Sequence, residues 1–325
     1  MLRALAARAP TRLDFGGGWT DVPPYSEREG GVVCNIAITR YATARVSRDD
    51  APAPPTTDPL VRAALDRSGL VGVSAALTSD FPVGAGLGGS SAAGVALAGA
   101  LAALQGRRLP ALELAALSRA TEVDGLGVAG GFQDHYVAAL GGALLLTFAD
   151  CVGAEQIALA PGTAAELAER GVLVYTGESR ISGETITAVV DGYLAGATRV
   201  CDALARMKAL AVEMAAALRA GDVSALGMLI GEHWVHQRAL HRSITTPRID
   251  AIVSAAARVG ALGVKALGAS GGGCVLAIAA PGRERELALA LAPFGERLEY
   301  AIDTRGFQLL SAEDASSDDA HAARA

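Results

Sequence analysis

Residues 82–104 constrain this chain more than any other stretch. Pro82 leads into Gly84-Ala-Gly86-Leu87-Gly88-Gly89, Ser90 and Ser91 follow, and Ala92–Leu104 is an uninterrupted apolar run. The run reads as a long Ala/Leu helix, and serine is a favoured N-cap. A Gly-rich loop entering a helix leaves backbone N–H groups pointing at whatever sits on the helix dipole, so the segment reads as a phosphate cradle. It is neither of two commoner cradles. A P-loop carries lysine before its Ser/Thr, and the dinucleotide fingerprint needs Gly-x-Gly-x-x-Gly with an acid about 20 residues on. Gly84–Gly89 gives G-x-G-x-G-G, one residue short.

The other glycines also cluster. The chain holds 39 glycines in 325 residues, well above the usual ~7%. One group is Gly16-Gly17-Gly18-Trp19-Thr-Asp21, preceded by Pro10-Thr-Arg12-Leu-Asp14-Phe; another is Gly268-Ala-Ser270-Gly271-Gly272-Gly273; a smaller one spans Gly125–Gly131. Glycines gather in this way where backbone must approach something closely.

Phosphoryl transfer from ATP needs Mg²⁺, which prefers hydroxyl, carboxylate and phosphate oxygens. Ser90 offers a hydroxyl at the cradle, and Glu122, ending the next expected helix, offers a carboxylate. Asp134, after Gly130-Gly131-Phe-Gln133, is a second acid, placed to accept the proton of an attacking hydroxyl. His135 reads as structural, because lone histidines more often satisfy local hydrogen bonds.

Bulk properties exclude other classes. Half of the chain (51%) is hydrophobic and 19% is charged, enough apolar material for a core and about two domains' worth of length. With a net charge of −6 and no basic block, no nucleic-acid partner is expected. The basic residues are 26 Arg and two Lys, Lys208 and Lys265, so a single arginine carries little weight. Cys34, Cys151, Cys201 and Cys274 lie far apart without a CxxC pair, which reads as four reduced core thiols rather than a zinc or disulfide framework. The longest uncharged apolar stretches, 92–104 and 136–149, fall short of the ~18 residues of a spanning helix. The N-terminus has no signal-peptide layout. The expectation is a cytoplasmic protein without a membrane partner.

Strands are expected at 32–38 and 41–47, joined tightly, and at 71–77, 143–148 and 172–176. Helices are expected at 92–104, 112–122, 184–219, 223–240, 247–259 and 284–292, with a strand–turn–strand at 265–279. The Pro-rich 49–59 reads as a surface connection, and 311–325 as a disordered tail. This is an α+β chain, divided as 1–165 and 166–310. The Ala-rich helices of 184–240 could be core or could form a homodimer face.

Three segments together resemble the GHMP kinases. Residues 82–93 resemble the ATP-binding loop of that family, 10–21 its first motif and 265–274 its third, in the family's order. Gly16–Tyr25 and Gly130–His135 look like the sugar-kinase branch, both D-glycero-D-manno-heptose 7-phosphate kinases and L-fucokinases. The stretch 234–265 leans toward the heptose kinases. The resemblance implies two α+β domains, the first with a ribosomal-protein-S5-like layout, and the site between them. It implies an ATP- and Mg²⁺-dependent kinase of a sugar or sugar phosphate, acting at the anomeric hydroxyl. It assigns Gly84, Gly86, Leu87, Gly88, Gly89, Ser90 and Ser91 to the phosphate loop, with Ser90 and Glu122 on Mg²⁺. Asp134 would take the hydroxyl proton, assisted by Arg12. Gly18, Trp19, Asp21, Gly271 and Gly272 would meet the substrate, with Arg180, Arg238 and Arg242 as candidate receptors for a substrate phosphate. Two departures are visible: Ser270 where the third motif usually has glycine, and His135 where related sugar kinases commonly show Gln. A sugar or nucleotide sensor on the same fold is the non-enzymatic alternative.

Overall fold

The computed structural model describes residues 4–48, 56–127, 130–178 and 183–311. The first sheet grows on a long antiparallel pair, β1 (Ala4–Gly16) and β2 (Gly31–Arg48), joined through the short helix α1 (Tyr25–Glu29). β2 corrects one expectation: it is a single 18-residue strand rather than two. The pair shifts register at Pro10/Thr11, where proline cannot donate to the ladder. Such an irregularity bends a strand without ending it, so the two halves of β2 serve different neighbours. Ala42–Arg48 pairs with β3 (Val73–Ser79), which follows α2 (Pro59–Ser68); Gly31–Ile36 pairs with β4 (Ala143–Phe148), itself paired with β5 (Val152–Ile157).

Three helices lie between β3 and β4: α3 (Gly89–Leu104), α4 (Ala111–Leu126) and α5 (Gln133–Leu140). Twelve of the sixteen residues of α3 are buried, as expected of a helix apolar all round. It packs on β1, β2, α4 and α5 and forms the centre of the larger core.

The second half opens with α6 (Thr163–Arg170) and β6 (Gly171–Tyr175). The helix expected over 184–219 is two, α7 (Gly183–Leu194) and α8 (Thr198–Ala220), because Gly196 turns into the left-handed region (φ +66°) and Ala197 is extended. Then come α9 (Val223–Leu240), α10 (Pro247–Arg258), β7 (Gly263–Ala266), β8 (Cys274–Ile278), α11 (Glu284–Leu291) and the short β9 (Glu296–Arg297). The second sheet has the order β7-β8-β6-β9, antiparallel throughout.

The halves interlock. Leu210, Ala211 and Met214 of α8 belong to the same core as β1 and β2. The last strand, β10 (Gln308–Leu310), expected with the second half, pairs with β1, Ala6 opposite Leu310. Gly99 of α3 makes room for this return: a side chain there would overlap the Phe307 ring. Only two of the four cysteines are core thiols, Cys34 and Cys274; Cys151 is exposed and Cys201 partly so. Residues 312–325 of the expected tail and 49–55 of the Pro-rich connection lie outside the described residues. Among those described, no helix is long and apolar enough to cross a membrane.

Candidate active site

The phosphate loop enters α3 without the serine cap that its sequence suggests. The N-cap is Gly88, in the left-handed region at φ +75°, and no described side chain caps the helix. The first N–H groups of α3 therefore face outward with the helix dipole behind them. Glycine is required at Gly88 twice over, since its Cα also lies against Asp134: a Cβ there would stand 2.9 Å from the carboxylate carbon. Gly84 and Gly86 are left-handed as well. Leu87 is buried and anchors the loop, its carbonyl accepting the Arg12 backbone N–H at 3.1 Å.

Arg12, in β1, ties this loop to α5. Its Nε and Nη2 each donate to one oxygen of Asp134 at 2.8 Å, and its Nη1 donates to the Gly86 carbonyl at 2.7 Å. Such a fork is rigid as well as strong. The arginine side chain is 4% exposed and the Asp134 side chain 24%, so the carboxylate is the open end of the pair. Both line a cavity of about 630 Å³ with Gly84–Ser91, Glu122, Gly18, Trp19 and Asp21. Thus residues from Arg12 to Ala269 meet at one surface, and the fork itself joins residues 122 positions apart.

Ser90 and Ser91, freed from capping, turn to Glu122. Ser90 Oγ donates to Oε1 at 2.5 Å and Ser91 Oγ to Oε2 at 3.3 Å. His135 Nε2 lies 3.0 Å from Oε2. Burial works to raise the Glu122 carboxyl, but the hydrogen bond and charge of His135, with the two serines, outweigh it and hold it below its ordinary value. An ionised carboxylate and a hydroxyl, both oxygen donors beside a phosphate cradle, suit Mg²⁺, which usually takes one or two protein oxygens and completes its shell with phosphates and water. The residues present therefore fit the ion.

Asp21, also on the cavity wall, is buried, its Oδ2 accepting the N–H groups of Phe132 (2.8 Å) and Gln133 (3.1 Å), so it caps α5 as well as facing the cavity. Gly131 permits this approach, because a side chain there would overlap the carboxylate. Burial pushes the Asp21 carboxyl from 3.8 up to about 6; the two N–H bonds oppose this, and the charges of Asp134 and Asp14 add to it. A folded value above the unfolded one means that the folded chain holds this proton more tightly. Stability from this group is thus lost as pH rises between about 4 and 6, by about 3 kcal/mol. Asp21→Asn, which can keep the cap without ionising, is expected to be more stable than wild type at pH 7.5. The gap should close below pH 4 in urea titrations; a gap independent of pH would contradict this reading.

Trp19 is buried at φ +80° with its indole N–H unpartnered, beside Gly18 on the cavity wall. Behind Gly18 stands a pair that the motifs contained but to which no role was given. Lys265 Nζ, fully buried, lies 3.1 Å from Asp14 Oδ2 and donates to the carbonyls of Asp14 (2.8 Å) and Phe15 (3.2 Å). Its signal in the sequence was that it is one of only two lysines. The second missed residue is His135, whose signal was its place next to Asp134.

The third glycine turn supports the phosphate loop from behind. The Cys274 N–H donates to the Ala85 carbonyl at 2.7 Å, and a Cβ on Gly86 would stand 2.9 Å from the Leu267 carbonyl. Gly268 and Ala269 reach the cavity wall; Gly271 and Gly272 do not, Gly271 donating to the Ile244 carbonyl and Gly272 lying against Glu178. Ser270, the departure from glycine, sits at φ +64° and is held there by Gln237, whose Nε2 donates to its hydroxyl at 2.8 Å. Arg238 and Arg242 are exposed and away from the cavity wall; Arg180 lies outside the described residues.

Comparison with known proteins agrees with this geometry. The models of the GHMP kinase N-terminal domain and C-terminal domain match residues 59–142 and 214–295, together just over half of the chain. The chain is 26% identical over 319 residues to D-glycero-alpha-D-manno-heptose 7-phosphate kinase of Campylobacter jejuni, covering 89% of this chain and 94% of that one. It is 27% identical over 361 residues to L-fucokinase/L-fucose-1-P guanylyltransferase of Bacteroides fragilis, covering 93% of this chain but only 38% of that longer protein. The crystal structure of a D-glycero-D-manno-heptose 1-phosphate kinase from Bacteroides thetaiotaomicron superposes with a TM-score of 0.76 at 24% identity, over 94% of this chain and 99% of that one. With both domains matched and the three glycine turns drawn together around Arg12 and Asp134, the chain belongs to the GHMP kinase family, as a phosphotransferase of the sugar-kinase type acting on an alcohol group.

Proposed function

We propose that this kinase transfers the γ-phosphoryl group of ATP to the anomeric hydroxyl of D-glycero-D-manno-heptose 7-phosphate, giving the 1,7-bisphosphate. The observation that carries the reading is the Arg12–Asp134 fork, held against Gly88 at the N-terminus of α3 within one cavity. It supports the reading because a carboxylate beside the phosphate cradle can accept a proton there. As the sugar oxygen bonds to phosphorus, the bond to the ADP oxygen breaks and the hydroxyl proton passes to Asp134. Arg12 keeps the carboxylate oriented and stays tied to the loop through Gly86. Ser90 and Glu122 would hold Mg²⁺, which when bound neutralises charge on the phosphates. Asp21, Trp19 and Gly18 would meet sugar hydroxyls.

The heptose assignment is supported by the Campylobacter relative, matched along nearly its whole length. The guanidinium on the described cavity wall, Arg12, is committed to Asp134 and Gly86, so it is not the receptor for a substrate phosphate in this proposal. The second reading, L-fucose as acceptor, is favoured by the 27% identity to the fucokinase relative across 93% of this chain. ADP release measured against heptose 7-phosphate, L-fucose, galactose and mannose separates them. The heptose phosphate is expected to give the highest kcat/KM. Consumption of L-fucose alone would overturn the heptose assignment and leave the kinase, whereas binding of sugar and ATP without turnover would point to a sensor.

A further inference from the structure

His135 lines the cavity beside the phosphate loop and is buried at the meeting point of three helices. α5 carries Asp134 and His135 side by side. α4 carries Ser118 and Glu122 four residues apart, hence on one face. α3 carries Ser90, Ser91 and Gly94, and a side chain at Gly94 would overlap the Ser118 hydroxyl. Glycine there is what admits Ser118 to the cluster.

The hydrogen-bond chemistry of this cluster fixes which nitrogen of His135 faces the carboxylate. The Glu122 carboxylate only accepts, so His135 Nε2, 3.0 Å from Oε2, carries the hydrogen. On the far side of the ring Nδ1 lies 2.9 Å from Ser118 Oγ: a neutral ring accepts there from Ser118, and a charged ring donates there while Ser118 donates to the Ser91 carbonyl at 3.4 Å, so Ser118 braces the imidazole in both states. His135, braced by Ser118, and Ser91 thus pin Oε2, while Ser90 Oγ donates to Oε1 at 2.5 Å. Both carboxylate oxygens are held from the protein side, Oε2 twice, which leaves a lone pair of Oε1 for the cavity.

We propose that His135 is a positioning residue that fixes the Glu122 carboxylate for the divalent cation, with Ser118 holding the ring through Nδ1. This rests on Ser90 and Glu122 being the cation's protein donors. One helix turn would then present both the proton acceptor Asp134 and the support of the cation's carboxylate, so a displacement of α5 would disturb both. Groups that hydrogen-bond a metal's carboxylate ligand typically contribute 10–100-fold to affinity.

The test is Mn²⁺ binding, read by electron paramagnetic resonance, to the full chain saturated with a non-hydrolysable ATP analogue. Glu122→Gln and His135→Phe are each expected to weaken Mn²⁺ binding by about 10–100-fold. His135→Gln, whose amide N–H can reach the place of Nε2, should remain close to wild type. In kinetics, His135→Phe should raise the Mg²⁺ concentration for half-activation and leave the KM for the acceptor unchanged, a split that general loosening of the helices would not give. If His135→Phe fails to fold, Ser118→Ala takes its place and should weaken Mn²⁺ binding while His135→Gln does not. Wild-type Mn²⁺ binding by Glu122→Gln would overturn the cation site itself. Weak binding by Glu122→Gln with wild-type binding by His135→Phe and Ser118→Ala would overturn the positioning role alone.

Discussion

Asp134→Asn is expected to lower kcat by about 10²–10⁴ while leaving ATP affinity essentially unchanged. The two side chains have the same shape, so the close approach of Gly88, 2.9 Å from its projected Cβ to the Asp134 carboxylate carbon, survives the change. Arg12 keeps its 2.7 Å bond to the Gly86 carbonyl, and with it the tether of the phosphate loop. What is lost is the charge and one of the two acceptors of the fork. A neutral amide cannot take the hydroxyl proton as the new phosphorus–oxygen bond forms. Stability should fall by less than for a fully enclosed pair, because the Asp134 side chain is 24% exposed and water reaches it. Single-turnover phosphoryl transfer and ATP-binding calorimetry on the same variant separate chemistry from binding. A kcat within about tenfold of wild type would remove Asp134 as the proton acceptor.

Lys265→Met should have the largest effect on stability, about 3–5 kcal/mol, read as a lower urea midpoint. Lys265 is fully buried, and its ammonium group serves the Asp14 carboxylate and two carbonyls at the end of β1. Burial draws the lysine below its ordinary value, and the Asp14 charge and hydrogen bond work to keep it protonated. Asp14 Oδ1 already lacks a partner, so removing the lysine leaves a buried carboxylate without its cation. The damage should reach the site, because Asp14 and Arg12 are two residues apart on β1 and so point to one face. Asp14→Asn in the Lys265→Met background should restore part of the loss, since no charge is then left unpaired. A loss below about 1 kcal/mol in the single variant would mean that the pair contributes little.

The local motifs explain how much of this site could be read from residues alone. Gly84–Ser91 announces its own turn because repeated glycine followed by an apolar helix has few other uses. Glu122 and Asp134 were legible because each lies in the last or first turns of a helix next to a glycine turn, although α4 runs on to Leu126. The serine cap that local propensity suggested does not form, since the choice between capping a helix and bonding Glu122 depends on α4, which arrives from elsewhere in the chain. His135 was legible as a residue but not as a partner, because Ser118 lies 17 positions away on another helix. The same limit hid the Lys265–Asp14 pair, 251 positions apart, and the pairing of β10 with β1. In β2, residues 39–40 resemble a joint between two strands; the absence of a turn follows from the two different neighbours that the halves acquire.

The most direct test of the central claim is the identity of the product. The purified protein is incubated with Mg·ATP and D-glycero-D-manno-heptose 7-phosphate, and the mixture is followed by ³¹P and ¹H magnetic resonance. The predicted result is one new phosphate resonance per ADP formed, coupled to the anomeric proton of the sugar. A new phosphate coupled to any other proton, or no ADP formed with this sugar while another is phosphorylated, would contradict the account.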